Sequence, residues 1–162
     1  DKPRLRDFHH ALSQRSRDLF TPHPYDEETL SKVVERALAG EDCIYVAMAG
    51  GRIAGYFFLS HMDRPVPILG IGIADAYQEQ GLGTQFMHLL IEKARRAGKR
   101  GIDLTTMPDN ERAFHVYQKV GFEYVGDVEN VTGDGRVVRE RRMFLPLEDG
   151  AEPPKREFKA PV

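Results

Sequence analysis

The chain has 162 residues, 41% of them hydrophobic and 30% charged, with a formal net charge of −2. That is the composition of one globular domain with a sizeable core, and it gives neither nucleic acid nor an anionic membrane surface as an obligate partner. No apolar run approaches the ~20 residues that cross a bilayer, and no secretory leader is expected. A lone Cys43 rules out an internal disulfide and suits a reducing, cytoplasmic compartment.

Residues 5–20 read as a helix, because Leu5, Phe8, Leu12 and Leu19 recur at helical spacing. Pro22 and Pro24 break it. A second helix is expected over 26–39, with Asp26 as its cap, Gly40 as its stop, and Leu30, Val33, Val34 and Leu38 as its apolar stripe. Residues 43–49 and 52–62 read as strands joined by Gly50-Gly51. Cys43, between apolar neighbours in the first, reads as a small hydrophobe rather than a nucleophile. The second strand is apolar on both faces, which a sheet covered on both sides explains. A strand over 68–74 carries Gly70 and Gly72 on one face and Ile71 and Ile73 on the other.

A helix over 82–97 follows, with Leu82, Phe86, Leu89, Leu90 and Ala94 as its core stripe. The strand over 101–106 should run parallel to 68–74, since a helical crossover joins them. A helix over 110–120 and a hairpin of 122–127 with 137–145 complete the domain, taken as residues 1–147. Residues 148–162 are charged and proline-rich and read as a tail, expected to contribute to a homodimer. The histidines show no metal-ligand spacing in a supporting frame, so no metal is expected.

The stretch Gln78-Glu79-Gln80-Gly81-Leu82-Gly83-Thr84 sits between the 68–74 strand and the long helix. Unshielded N–H groups at a helix start suit a phosphate or pyrophosphate. The glycines alone also fit a plain turn into a helix. A P-loop is disfavoured by Thr84-Gln85 after Gly83, and a dinucleotide fingerprint by Phe86 where a third glycine belongs.

Gln78-x-x-Gly81-x-Gly83 resembles the pyrophosphate signature of the GNAT N-acetyltransferase family, and the stretch from Asn110 through Ala113 and Tyr117 to Phe122 resembles that family's second recurring motif. The resemblance covers about residues 43–144. It implies an α/β (α+β) fold: a mixed, mostly antiparallel sheet with a splayed parallel strand pair and helices on both faces. It also implies a strand ahead of the first helix, expected to be missing here.

The implied activity is transfer of an acetyl group from acetyl-CoA to a primary amine by direct attack, with a small molecule as the expected acceptor. Protein lysines or N-termini, or a non-catalytic acyl-CoA sensor, are the alternatives. By the resemblance, Gln78, Gln80, Gly81, Leu82, Gly83 and Thr84 hold the pyrophosphate, and the main chain of Ile71 and Ile73 pairs with the pantetheine arm. Ala113 leaves room for the arm, and Asn110 either binds it or caps its helix. Tyr117 is the implied general acid toward the departing sulfur. Many relatives carry a carboxylate on the strand before the loop, where this chain has Gly70 and Gly72. His61 is the tentative base on its titration range, with Asp63 or a water relay as alternatives. The acceptor site is expected around residues 20–25, 62–64 and Asn130.

Overall fold

The computed structural model describes residues 1–155. Helices α1 (Lys2–Ala11), α2 (Gln14–Leu19) and α3 (Glu27–Leu38) precede strands β1 (Cys43–Ala49), β2 (Arg52–Ser60) and β3 (Ile68–Ile73). A short 3-10 turn, Asp75–Tyr77, leads to α4 (Leu82–Arg96), β4 (Gly101–Thr106), α5 (Glu111–Val120), β5 (Glu123–Val131) and β6 (Val137–Pro146). The six strands form one sheet in the order β1-β2-β3-β4-β6-β5, antiparallel throughout except for β3 and β4.

The sheet is covered on both faces, and β2 shows how. Phe57 and Leu59 enter a core with Met87, Leu90 and Ala94 of α4 and with Ile102, Leu104 and Met143 of the neighbouring strands. Ile53, Tyr56 and Phe58 enter a second core with Leu5, Phe8 and Leu12 of the first helical segment, Tyr25 and Leu30. Alternation from Tyr56 to Leu59 therefore feeds two hydrophobic layers, and the bulge at Ala54, where the register shifts opposite Ala47 and Met48, brings Ile53 to the face of Tyr56 and Phe58.

Three sequence expectations need correction here. The single helix over 5–20 is two, because Leu12 turns extended and Ser13 caps α2, its side chain accepting from Ser16 N at 3.2 Å. Leu38 and Leu89 are exposed, and Met87 and Ile91 fill the α4 core instead of Leu89. Strand β5 also runs on to Val131, so the hairpin is longer than its composition suggests.

The parallel pair is held at one end only. Ile68 faces Asp103, and beyond that point β3 has no partner on its β4 side. Strand β4 instead pairs with β6 through Thr106. The sheet therefore opens between the C-terminal halves of β3 and β4.

The tail as far as it is described docks on its own domain. Arg100 pairs with Glu148, and Arg142 Nη2 donates to Pro154 O at 2.7 Å. The homodimer expectation rests on residues 148–162, of which 156–162 lie outside the described ones. No helix among the described residues is long and apolar enough to cross a membrane.

Candidate active site

The opening between β3 and β4 is a cavity of about 690 Å³, within the range of small-molecule and cofactor sites. Its floor is Gly70 to Ile73, one end is the turn into α4, and its far wall is Asn110, Ala113 and Tyr117 of the α5 segment.

The turn into α4 is built for an anion. Gly81 occupies the left-handed region at φ 78°, which a residue with a Cβ rarely adopts. No side chain caps the helix, so its first N–H groups are left for a ligand. A Cβ on Gly83 would lie 3.1 Å from Ile73 Cδ1, so the loop packs directly on β3. Gly81, Leu82, Gly83 and Thr84 line the cavity. Gln80 does not line it; its amide donates to Ala76 O at 3.1 Å. Gln78 lines it, but its amide nitrogen donates to Ile73 O at 3.0 Å and Ser16 Oγ at 3.2 Å, bracing the loop.

That brace belongs to a larger knot. Asp75 Oδ2 accepts from Ser13 N at 2.9 Å, and its Oδ1 accepts from Ser13 Oγ at 2.8 Å and Ser16 Oγ at 2.7 Å. Helix α2 is thereby fastened to the end of β3. Arg112, unnoticed in the sequence, pairs with Glu79 at 2.5 Å beside the same loop and lines the cavity. Its position in the first turn of α5, two residues after Asn110, was the available signal.

On the far wall, Asn110 caps α5, with Oδ1 accepting from Ala113 N at 3.3 Å. Asn110, Ala113 and Tyr117 share one helix face at i, i+3 and i+7. Tyr117 packs edge-on against Phe122, ring centroids 5.8 Å apart, and its hydroxyl makes no hydrogen bond to the described residues. Burial pushes its phenol up to about 12. The ring therefore keeps its proton throughout the physiological range.

His61 is not brought to this cavity. It follows the end of β2 opposite the opening, since Ser60 faces Ile68 where β3 begins. Its N–H donates to Asp42 Oδ1 at 2.9 Å, and its ring lies against Arg36, which grips Asp42 through two hydrogen bonds of 2.8 and 2.9 Å. Burial, then Arg64 and Arg36, hold its pKa below the ordinary histidine value. Asp63 and the 62–64 loop likewise lie outside the cavity lining, whereas Phe20, Thr21, Pro22 and Asn130 are within it.

Glu140 of β6 was missed by sequence reasoning. It is 9% exposed and lines the cavity. A carboxylate on an inward strand position was the signal, and the extended hairpin hid it.

The GNAT acetyltransferase family model matches residues 5–122, the span from α1 through the end of α5. The chain belongs to the acetyltransferase (GNAT) family. Among its relatives are the uncharacterized N-acetyltransferase YvbK of Bacillus subtilis (strain 168), 33% identical over 91 residues, and the N-alpha-acetyltransferase RimI of Mycobacterium tuberculosis, 35% identical over 96 residues. Each match covers 56% of this chain, and 58% and 59% of the respective relatives. The chain thus spans less than two thirds of the length of these curated relatives. Among solved structures, YncA of Salmonella typhimurium, determined with its cofactor acetyl-CoA, superposes with a TM-score of 0.71 at 21% identity, covering 96% of this chain and 95% of that one. The GNAT fold, with its splayed parallel pair, is thus the fold of this chain.

Proposed function

We propose that this GNAT chain, as one catalytic domain over residues 1–147, transfers an acetyl group from acetyl-CoA to the primary amine of a small molecule. The observation that carries the reading is the cavity in the strand opening, bounded by an uncapped helix start and by Tyr117. Acetyl-CoA supplies the activated acetyl thioester. The N–H groups after Gly81 hold its pyrophosphate, and the unpaired edge of Ile71 and Ile73 aligns its arm as an added strand. Ala113 leaves space for the arm beside Asn110. Tyr117, protonated and without a hydrogen-bond partner among the described residues, gives its proton to the departing sulfur.

The preference for a small acceptor rests on how the acceptor end is closed. Gly133, in the turn between β5 and β6, donates its N–H to Thr21 O at 2.8 Å. A Cβ there would lie 2.4 Å from the His23 backbone, so hairpin and α2–α3 loop meet without a gap. A polypeptide laid across this face needs a trough between those loops, and this contact fills it. The name of the relative RimI favours a second reading, an α-amine at a protein N-terminus.

The test is thiol release from acetyl-CoA with a panel of small primary amines beside a peptide bearing a free N-terminus and a lysine. Release with small amines and none with the peptide is expected. Acetylation of the peptide alone would move the acceptor to protein. Tight acetyl-CoA binding without release by any amine would favour the sensory reading.

A further inference from the structure

We propose that Glu140 receives the acceptor's ammonium group and carries its proton away, an assignment that rests on the acetyltransferase reading above. The position before the pyrophosphate loop cannot do this. A Cβ on Gly72 would lie 2.2 Å from the Phe20 ring, and one on Gly70 would lie 2.1 Å from the Phe58 ring. Aromatic rings thus occupy the face of β3 from which a side chain would reach the acceptor. The carboxylate must come from across the opening.

Glu140 stands there. Strand β4 pairs with β6 only as far as Thr106 opposite Arg141, so Glu140 lies just past the paired stretch, where the cavity begins. Its Oε2 accepts from Asn130 Nδ2 at 2.9 Å, while its Oε1 accepts no hydrogen bond from the described residues. The arginines beside it in sequence are engaged elsewhere: Arg139 with Asp127, Arg141 with Glu111, and Arg142 with Asp103. Among the described residues no cation pairs with this nine-tenths buried carboxylate, so it is left for a cation that enters the cavity. In this cavity the arriving cation is the protonated amine. Asn130 fixes one oxygen and leaves the other for the ligand.

The proton ledger of the reaction then closes. Glu140 takes one proton from the ammonium, freeing the nitrogen lone pair. The N–C bond forms as the C–S bond breaks, and Tyr117 gives its proton to the sulfur. The nitrogen's second proton restores the Tyr117 phenol, and Glu140 releases its own to solvent. One proton leaves per turnover.

The test compares two nucleophiles with Glu140→Gln and Glu140→Asp. Butylamine, like a lysine side chain, holds its proton to about pH 10.4, whereas hydroxylamine is largely neutral at neutral pH and needs no base. Glu140→Gln should lose roughly 10²–10⁴-fold in kcat/KM toward butylamine. It should keep transfer to hydroxylamine and keep acetyl-CoA affinity, and Glu140→Asp should recover part of the butylamine rate. Unchanged butylamine kinetics, or an equal loss with both nucleophiles, overturns the assignment while leaving the acetyltransferase reading intact. No thiol release by the unaltered protein with either nucleophile overturns both.

Discussion

The family resemblance points to Tyr117, and titration range to His61, as proton-transfer groups, and their surroundings separate them. Tyr117 lines the cavity, its hydroxyl makes no hydrogen bond to the described residues, and burial lifts its pKa to about 12. Its proton is therefore in place well above the pH where an ordinary tyrosine, near 10, begins to lose it. Tyr117→Phe keeps the ring and its packing on Phe122 and removes only the acid. Turnover should fall by ~10²–10⁴-fold with acetyl-CoA affinity nearly unchanged, because the proton transfer matters only in the transition state. Steady-state rates beside a binding titration check this. Near-normal turnover with chemistry rate-limiting would reduce Tyr117 to packing. Tyr117 is pointed to by the family resemblance, and its spacing from Asn110 and Ala113 puts all three on one helix face. The place of His61 was not legible, since titration range says nothing of direction, and its backbone at φ 60° turns it toward Asp42 and Arg36. Glu140 escaped notice because only the strand opening brings its position to the cavity.

At the level of elements, the site depends on two fastenings that join distant parts of the chain. Asp75 ties α2 to the end of β3 through Ser13 and Ser16. Asp75→Ala should cost about 1 kcal/mol, the order of a lost hydrogen bond at a largely exposed site. Because Ser16 also steadies Gln78 of the turn into α4, where the pyrophosphate is proposed to bind, the same variant should weaken acetyl-CoA binding. Chemical denaturation and a cofactor titration on one preparation would show both effects, and a stability loss without a binding change would uncouple the knot from the loop. The second fastening is Gly133 against His23. Gly133→Ala must push the hairpin off the α2–α3 loop, so KM for a small amine should rise while acetyl-CoA affinity holds. An unchanged KM would show that this contact does not shape the acceptor end. The elements themselves were legible from periodicity and turn residues. Their exceptions follow from local competition: Ser13 is a better cap than helix residue, so it splits α1 from α2. Leu89 satisfies the helical stripe but faces away from the sheet, while Met87 and Ile91 face it.

Across the whole molecule, the layer that closes the acceptor end is also sensitive to acid. His23 is 1% exposed, with Nδ1 against Pro24 O at 2.7 Å and Nε2 against Tyr56 Oη at 3.1 Å. Burial lowers its pKa, and burial, then Arg17 and His10, lower that of His9, which stacks on Tyr25. The unfolded chain protonates these histidines first as pH falls below about 6.5. Stability is then full above that pH and declines as pH drops toward the lower folded values. Urea unfolding should show a smaller unfolding free energy at pH 5.0 than at pH 7.5, and His23→Gln should flatten the difference. Equal dependence in both proteins would remove His23 from the account. The order of the strands opens the sheet between β3 and β4, where acetyl-CoA is proposed to bind, and the Gly83 contact with Ile73 is where that proposal is most exposed. The measurement is a calorimetric titration of acetyl-CoA into the unaltered protein and into Gly83→Leu, with melting curves for each. One equivalent should bind the unaltered protein, and the variant should stay folded but bind at least about tenfold more weakly, ~1.4 kcal/mol. Equal affinity in a folded Gly83→Leu would contradict the placement of acetyl-CoA in this opening.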